Sequence, residues 1–238
     1  MNILGVKVDN LEKNEILSKV TAFLVEEKFH QIATINPEFI LEAQKNVEFG
    51  KILEDCDLNI ADGIGIRFAF WRSGKNLKFR MAGMNLMMEI LKIADKKKLK
   101  IFLAVNSGGL STWEKTRNAI LKNHPDLTVD GINLEKNGVL NTNLESKMSK
   151  SDIIFCNFGA PEQEKFLHSL KSQKNGKIKL TMGVGGSFDF LTESQKRAPI
   201  WMRKAGLEWF WRFVRQPWRW KRIWKAVVIF PIKVIFNY

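Results

Sequence analysis

Apolar, β-rich runs alternate along the chain with segments of helical length, and most of the runs end in glycines or small polar residues. "FHQIATI" leads into "PEFILEAQKN", where Pro37 suits a first helical turn and Glu38 complements its positive end. "LKIFLAV" passes through "NSGG" into "LSTWEKTRNAIL", and "SDIIFCNFG" precedes "APEQEKFLHSL". "GKIKLTMGVGG" supplies another continuous apolar run of the kind that is buried on both faces. Strand, turn and helix in this order predict βαβ units, and so an α/β fold with a Rossmann-like, largely parallel sheet flanked by helices.

In such sheets ligands sit beyond the carboxyl ends of the strands, so the residues just after each run are the ones to inspect. They are Thr34 and Asn36, Asp62 in "NIADGIGI", Asn106 to Gly109, Asn157 to Glu164, and Gly183 to Ser187. Gly185 and Gly186 allow close backbone approach to a phosphate, although "GVGGSF" is neither a dinucleotide fingerprint nor a Walker loop, and tight turns explain such glycines equally. Asp62 follows an apolar run and sits beside two glycines, which suits a general base. Asp-Gly is also ordinary turn chemistry, and the pattern alone leaves both readings open. Asp55 and Asp57 spell D-x-D, but they follow the helical "VEFGKILED" and read as solvated acids. His30, His124 and His168 lie far apart without metal-ligand spacing.

Composition changes the picture at one end. Hydrophobic residues make up 45% and charged residues 26% of 238 positions, as in ordinary globular domains. Cys56 and Cys156 are too few for an oxidised framework and point to a reducing cytoplasm, and the N-terminal stretch lacks the pattern of a signal peptide. The net charge of +13 is lopsided: residues 197–238 hold ten Lys/Arg against Glu208 alone. A composition break near Lys196 divides the chain into a catalytic body, 1–195, and a basic aromatic helical appendage, 196–238. From Trp220 onward, Trp220, Ile223, Trp224, Val227 and Val228 recur at helical spacing while Arg219, Arg222 and Lys225 fall largely on other faces. A helix of this kind rests in an anionic membrane interface, with Trp at headgroup depth. "IWKAVVIFPIKVIF" is too short and too interrupted to span a bilayer. Interleaved aromatic and basic residues also suit a nucleic-acid-binding protein, the competing class, though the basic excess accompanies an increasingly apolar end.

Six motifs then occur in order between residues 34 and 222: "TINPEF", "ADGIGI", "RMAGM", "FGAPEQEKF", "GVGGSFDFLTESQKRAP", and "GLEWFWR" followed by "QPWRWKR". Together they resemble the WecG/TagA/CpsF family of bacterial glycosyltransferases. One departure is Met84 in "RMAGM", where the family often has an acid.

The resemblance implies inverting transfer of a hexose, typically N-acetylmannosamine, from a UDP-sugar donor to undecaprenyl-diphosphate-linked N-acetylglucosamine. The polymer served is a teichoic-acid linkage unit, capsule or exopolysaccharide. It assigns the base to Asp62, places Thr34 and Asn36 in the same pocket, and makes Arg80 and Gln163 phosphate or sugar contacts. Arg212, Arg219 and Arg222 would close over the nucleotide, because a leaving diphosphate in a metal-independent reaction needs cations and backbone donors. A divalent cation and a homo-oligomer stay compatible with the resemblance. The implied location is cytoplasmic, peripheral on the inner face of the bacterial cell membrane.

Overall fold

The computed structural model of the chain describes residues 1–135, 142–172 and 177–236. A small antiparallel hairpin, β1 (Asn2–Ile3) and β2 (Val6–Lys7), leads into α1 (Lys13–Phe23). The first half of the sheet follows: β3 (His30–Ile35), α2 (Pro37–Ala43), α3 (Val47–Asp55), β4 (Leu58–Ala61), α4 (Ile64–Arg72) and α5 (Gly83–Lys97). The second half comprises β5 (Lys100–Asn106), α6 (Trp113–Leu121), β6 (Thr128–Leu134), α7 (Thr142–Met148), β7 (Ile153–Cys156), α8 (Glu162–Ser169), β8 (Leu180–Gly183) and α9 (Ser187–Leu191). Gly176, which opens the expected run before β8, lies outside the described residues.

The six longer strands form one parallel sheet in the order β4-β3-β8-β7-β5-β6. The α/β expectation therefore holds. β3, β4, β7 and β8 are buried at every position, as continuous apolar runs require when helices cover both faces. Alternate residues point to opposite layers. Ile101, Leu103 and Val105 join Ile153 and Phe155 in a core beneath α1, α5 and α6, while Phe102, Ala104, Ile154 and Cys156 pack against α7 and α8. Ala33, Ile35 and Ala61 face a further core with the hairpin, α2, α3 and α4. Cys56 and Cys156 are both free and buried.

After β8 the chain continues as α10 (Ile200–Ala205), α11 (Glu208–Arg215), α12 (Trp220–Trp224) and α13 (Phe230–Phe236), with a 3-10 turn at Pro217–Arg219 and a π turn at Lys225–Ile229. This segment folds back over the body. Phe230 and Val234 are completely buried in the core shared by α2 and α4. Its outer surface is different: Trp201, Phe210, Phe213, Trp218, Trp220, Trp224, Ile232 and Phe236 are exposed. Among the described residues no helix is long and apolar enough to cross a membrane.

Candidate active site

β3 and β4 end level with each other in the sheet, and β7 and β8 end level with each other two residues short of them. Thr34 pairs with Ile60 and Ile35 with Ala61, so Asp62 leaves β4 two residues beyond the position opposite Thr34. The Asp62 amide extends the ladder by donating to the Ile35 carbonyl at 2.7 Å. Met81 then donates to the Ala61 carbonyl at 3.0 Å, which brings Arg80 and the start of α5 alongside β4. The local ladder thus joins residues from three distant motifs.

Gly83 opens α5 between Thr34 and Asp62. A Cβ at this position would stand 3.2 Å from the Thr34 hydroxyl, so a larger residue would push the helix away from the strand. The Gly83 amide, one of the free donors of the helix terminus, hydrogen-bonds the Asp62 carboxylate. Burial is the largest influence on this carboxyl and raises its pKa, and Glu208 raises it further, to about 6. Arg212, Arg80 and the Gly83 amide pull the other way. Because part of the Asp62 surface stays open, the carboxylate can meet a ligand while its basicity lies close to neutral.

The charges of Arg212 and Arg80 both act on this carboxylate. Arg212 pairs with Glu208 at 3.1 Å, one helical turn away on α11, and its guanidinium lies 5.3 Å from the centroid of the Phe190 ring. Arg219 is partly buried, and desolvation, with repulsion from Arg222 and Arg212, holds its pKa below the ordinary arginine value against the pull of Glu38 and Asp189. Arg80 donates to the Arg203 carbonyl at 2.9 Å. Arg197 donates to Asn85 in the first turn of α5 at 3.0 Å, and its charge feels Glu208, Arg203, Asp62 and Arg212.

Three expected site residues have work of their own. Asn36 caps α2, accepting at Oδ1 from the Glu38 amide at 2.9 Å and the Phe39 amide at 3.2 Å. Arg222 is held by Glu38 at 2.5 and 2.8 Å instead of pointing freely at a diphosphate. Gln163, 3% exposed, braces the crevice from beneath: its Oε1 accepts from the Gly159 and Gly185 amides, each at 3.1 Å, and its amide donates to Glu164 at 2.7 Å. Gln163 thus ties the Gly159 and Gly185 turns together. Gly185, at φ +50°, and Gly186 border open space, so the backbone there is approachable.

Sequence reasoning passed over Gly83, Glu164, Arg197, Arg203 and Glu208 as individuals. All five lie inside or beside the quoted motifs, but their residue types fit surface or packing roles equally well. Glu164 is the least expected: a completely enclosed carboxyl whose burial raises its pKa to about 8, despite the hydrogen bond from Gln163. Met84, in the first turn of α5, packs partly buried against the main core and leaves no acid at that position. Among the described residues no three His, Cys, Asp or Glu side chains gather as a metal-binding group.

The model of the glycosyl transferase WecG/TagA/CpsF family matches residues 1–238. A Bacillus subtilis (strain 168) protein named N-acetylglucosaminyldiphosphoundecaprenol N-acetyl-beta-D-mannosaminyltransferase is 32% identical over 219 residues, covering 91% of this chain and 80% of its own. A Staphylococcus aureus (strain MRSA252) protein of the same name is 31% identical over 244 residues, covering 98% of this chain and 91% of its own.

Proposed function

Because the chain belongs to the WecG/TagA/CpsF family of glycosyltransferases, we propose that it moves N-acetylmannosamine from a UDP-sugar to N-acetylglucosamine carried on undecaprenyl diphosphate. The product feeds a cell-surface polymer of the teichoic-acid linkage type. The observation that carries this reading is Asp62, a carboxylate poised near neutrality just beyond the end of β4, with the charges of Arg212 and Arg80 acting on it.

In this reading the reaction is one displacement with inversion. The acceptor hydroxyl attacks the anomeric carbon, Asp62 takes its proton, and the bond from that carbon to the UDP oxygen breaks with its electron pair leaving on the diphosphate. Thr34, diagonal to Asp62 across the β3–β4 pair and 8% exposed, orients the reacting groups. Arg212 and Arg219 meet the charge that grows on the leaving group, where preorganised donors act without reorganising. The reaction is metal-independent in this reading, so that work falls to the protein's own cations. Arginine stays ionised there even when partly desolvated.

The exposed aromatics and cations of residues 196–238 fit a peripheral position on an anionic membrane, at the cytoplasmic face where a lipid-linked acceptor is reached. Vesicle flotation distinguishes this partner from a nucleic acid. The decisive experiment incubates the protein with a panel of UDP-sugars and a short-chain lipid-diphosphate-N-acetylglucosamine and weighs the lipid product. A gain of one N-acetylhexosamine from the UDP-N-acetylmannosamine sample alone is expected; no mass gain with any donor refutes the proposal.

A further inference from the structure

A transfer from a nucleotide sugar to a diphosphate-linked acceptor brings two diphosphates to one site. One leaves with the nucleotide; the other stays on the acceptor as a spectator. Resting on the function proposed above, we propose that Arg80, Arg197 and Arg203 form a second anion subsite that takes the acceptor's diphosphate, separate from the Arg212–Arg219 pair that serves the nucleotide.

The arginines divide by what they touch. Arg212 lies against Phe190 of α9 and pairs with Glu208 on its own helix, and the charge of Arg212 acts on Arg219. Arg80, Arg197 and Arg203 are tied instead to α5 and α10: Arg80 donates to the Arg203 carbonyl, and Arg197 donates to Asn85. The charges of Arg80, Arg197 and Arg212 all bear on Asp62, so both groups lie near the base that takes the acceptor's proton.

Two observations point to a missing anion on the α5–α10 side. The Nε atoms of Arg197 and Arg203 are buried and have no hydrogen-bond partner among the described residues. A buried guanidinium donor left empty is costly, and a phosphate oxygen is the acceptor that the planar fork fits best. The first turn of α5 adds its own partial positive charge beside Asn85. Desolvation, with repulsion from Arg203 and Arg212, lowers the Arg197 pKa against the pull of Glu208 and Asp62, and a bound anion would add to that pull.

The second argument comes from the lipid end. α10 carries exposed Ile200 and Trp201, 63% and 64% accessible, three and two residues before Arg203, while Met202 is buried. Exposed apolar side chains thus stand within one helical turn of Arg203. A prenyl diphosphate has this polarity, a chain that belongs in lipid joined directly to two phosphates. Arg212 meets the Phe190 ring of α9 instead.

The test measures binding of farnesyl diphosphate, as a short prenyl diphosphate, to UDP-saturated protein, and of UDP alone, by titration calorimetry. Variants are Arg197→Gln, Arg203→Gln and Arg219→Gln, with Arg197→Lys and Arg203→Lys keeping the charge should the neutral forms fail to fold. Wild type is expected to bind both ligands at once, and farnesol not at all. The Gln variants at 197 and 203 should weaken farnesyl diphosphate by about 10- to 100-fold, the range for a lost charge-assisted bond, and leave UDP within about twofold. The Lys variants should recover part of the loss, and Arg219→Gln should show the reverse selectivity. Competition between the two ligands, an equal loss of UDP affinity at 197 or 203, unchanged farnesyl diphosphate affinity, or no binding by wild type would each overturn the subsite. A wild type that binds both ligands yet transfers no sugar would instead refute the proposed function and leave the subsite standing.

Discussion

Arg222 on α12 grips Glu38 in the first turn of α2 across 184 residues of sequence, with Nε at 2.8 Å and Nη2 at 2.5 Å from the same carboxylate oxygen. The contact pins the returning C-terminal segment next to the strand end that carries Thr34 and Asn36. Exposed ion pairs contribute only about 0–1 kcal/mol, so the pair steers more than it stabilises. Arg222→Ala should therefore lower turnover less than Arg219→Ala, whose guanidinium is half-desolvated beside Arg212. Steady-state rates with a water-soluble acceptor compare the two. A larger loss at Arg222 would mean that it leaves Glu38 for the substrate.

Asp62→Asn should fold and bind UDP normally but turn over about 10²- to 10⁴-fold more slowly, the usual loss when a general base is removed. The wild-type kcat/KM should rise as pH increases through about 6, where the Asp62 carboxyl ionises. The residual activity of the Asn variant should lack that acid limb. A variant that retains the limb would assign the titration to another group.

Glu164 gives a stability signature of opposite practical use. Its folded pKa of about 8 exceeds its ordinary 4.5, so below 4.5 both the folded and unfolded chains hold the proton and nothing is lost. As pH rises from about 4.5 to about 8 the unfolded chain ionises first, and the folded state loses relative stability before levelling off. Glu164→Gln can still accept from Gln163 and removes this dependence. Its melting temperature should gain on wild type across that window and hold the gain above it. Parallel melting curves for the two proteins would show that Glu164 is already ionised in the folded state.

Phe230 and the exposed tryptophans should separate packing from surface attachment. Phe230→Ala empties a fully buried site and should destabilise the whole protein by about 3–5 kcal/mol in denaturant titrations. Trp220→Ser with Trp224→Ser should leave stability within about 0.5 kcal/mol, since both side chains are more than half exposed. That double variant should also lose flotation on anionic vesicles. Undiminished flotation would place the membrane contact elsewhere. The Phe230 result bears on truncation as well: removal of residues from Lys196 onward uncovers the core around α2 and α4.

Much of the fold was legible because local chemistry decides it. Pro37 after an apolar run, the glycines after β5 and β8, and strands buried on both faces each leave a pattern within about ten residues. β6 left none: it is half-exposed at the sheet edge, with Gly131 in its middle, and no apolar alternation marks it. The basic, aromatic character of the C-terminal stretch was likewise plain from composition, since charge and indole content need no coordinates.

The tertiary structure decided which of those residues meet. Sequence placed Asp62 after a strand, but only the register of β3 with β4 and the return of Met81 to Ala61 set it between Thr34, Gly83 and Arg80. No periodicity reveals that Gln163 spans two loops, that Glu164 is enclosed, or that Arg197 reaches Asn85 across 112 residues. The same holds at the chain's end, where one helical stripe reads as lipid-facing from spacing alone, yet Phe230 and Val234 turn inward and Trp220 and Trp224 outward. The reason is physical: helix and strand formation follow from neighbours along the chain, whereas pKa shifts, ion pairing and burial depend on contacts between segments that folding alone brings together.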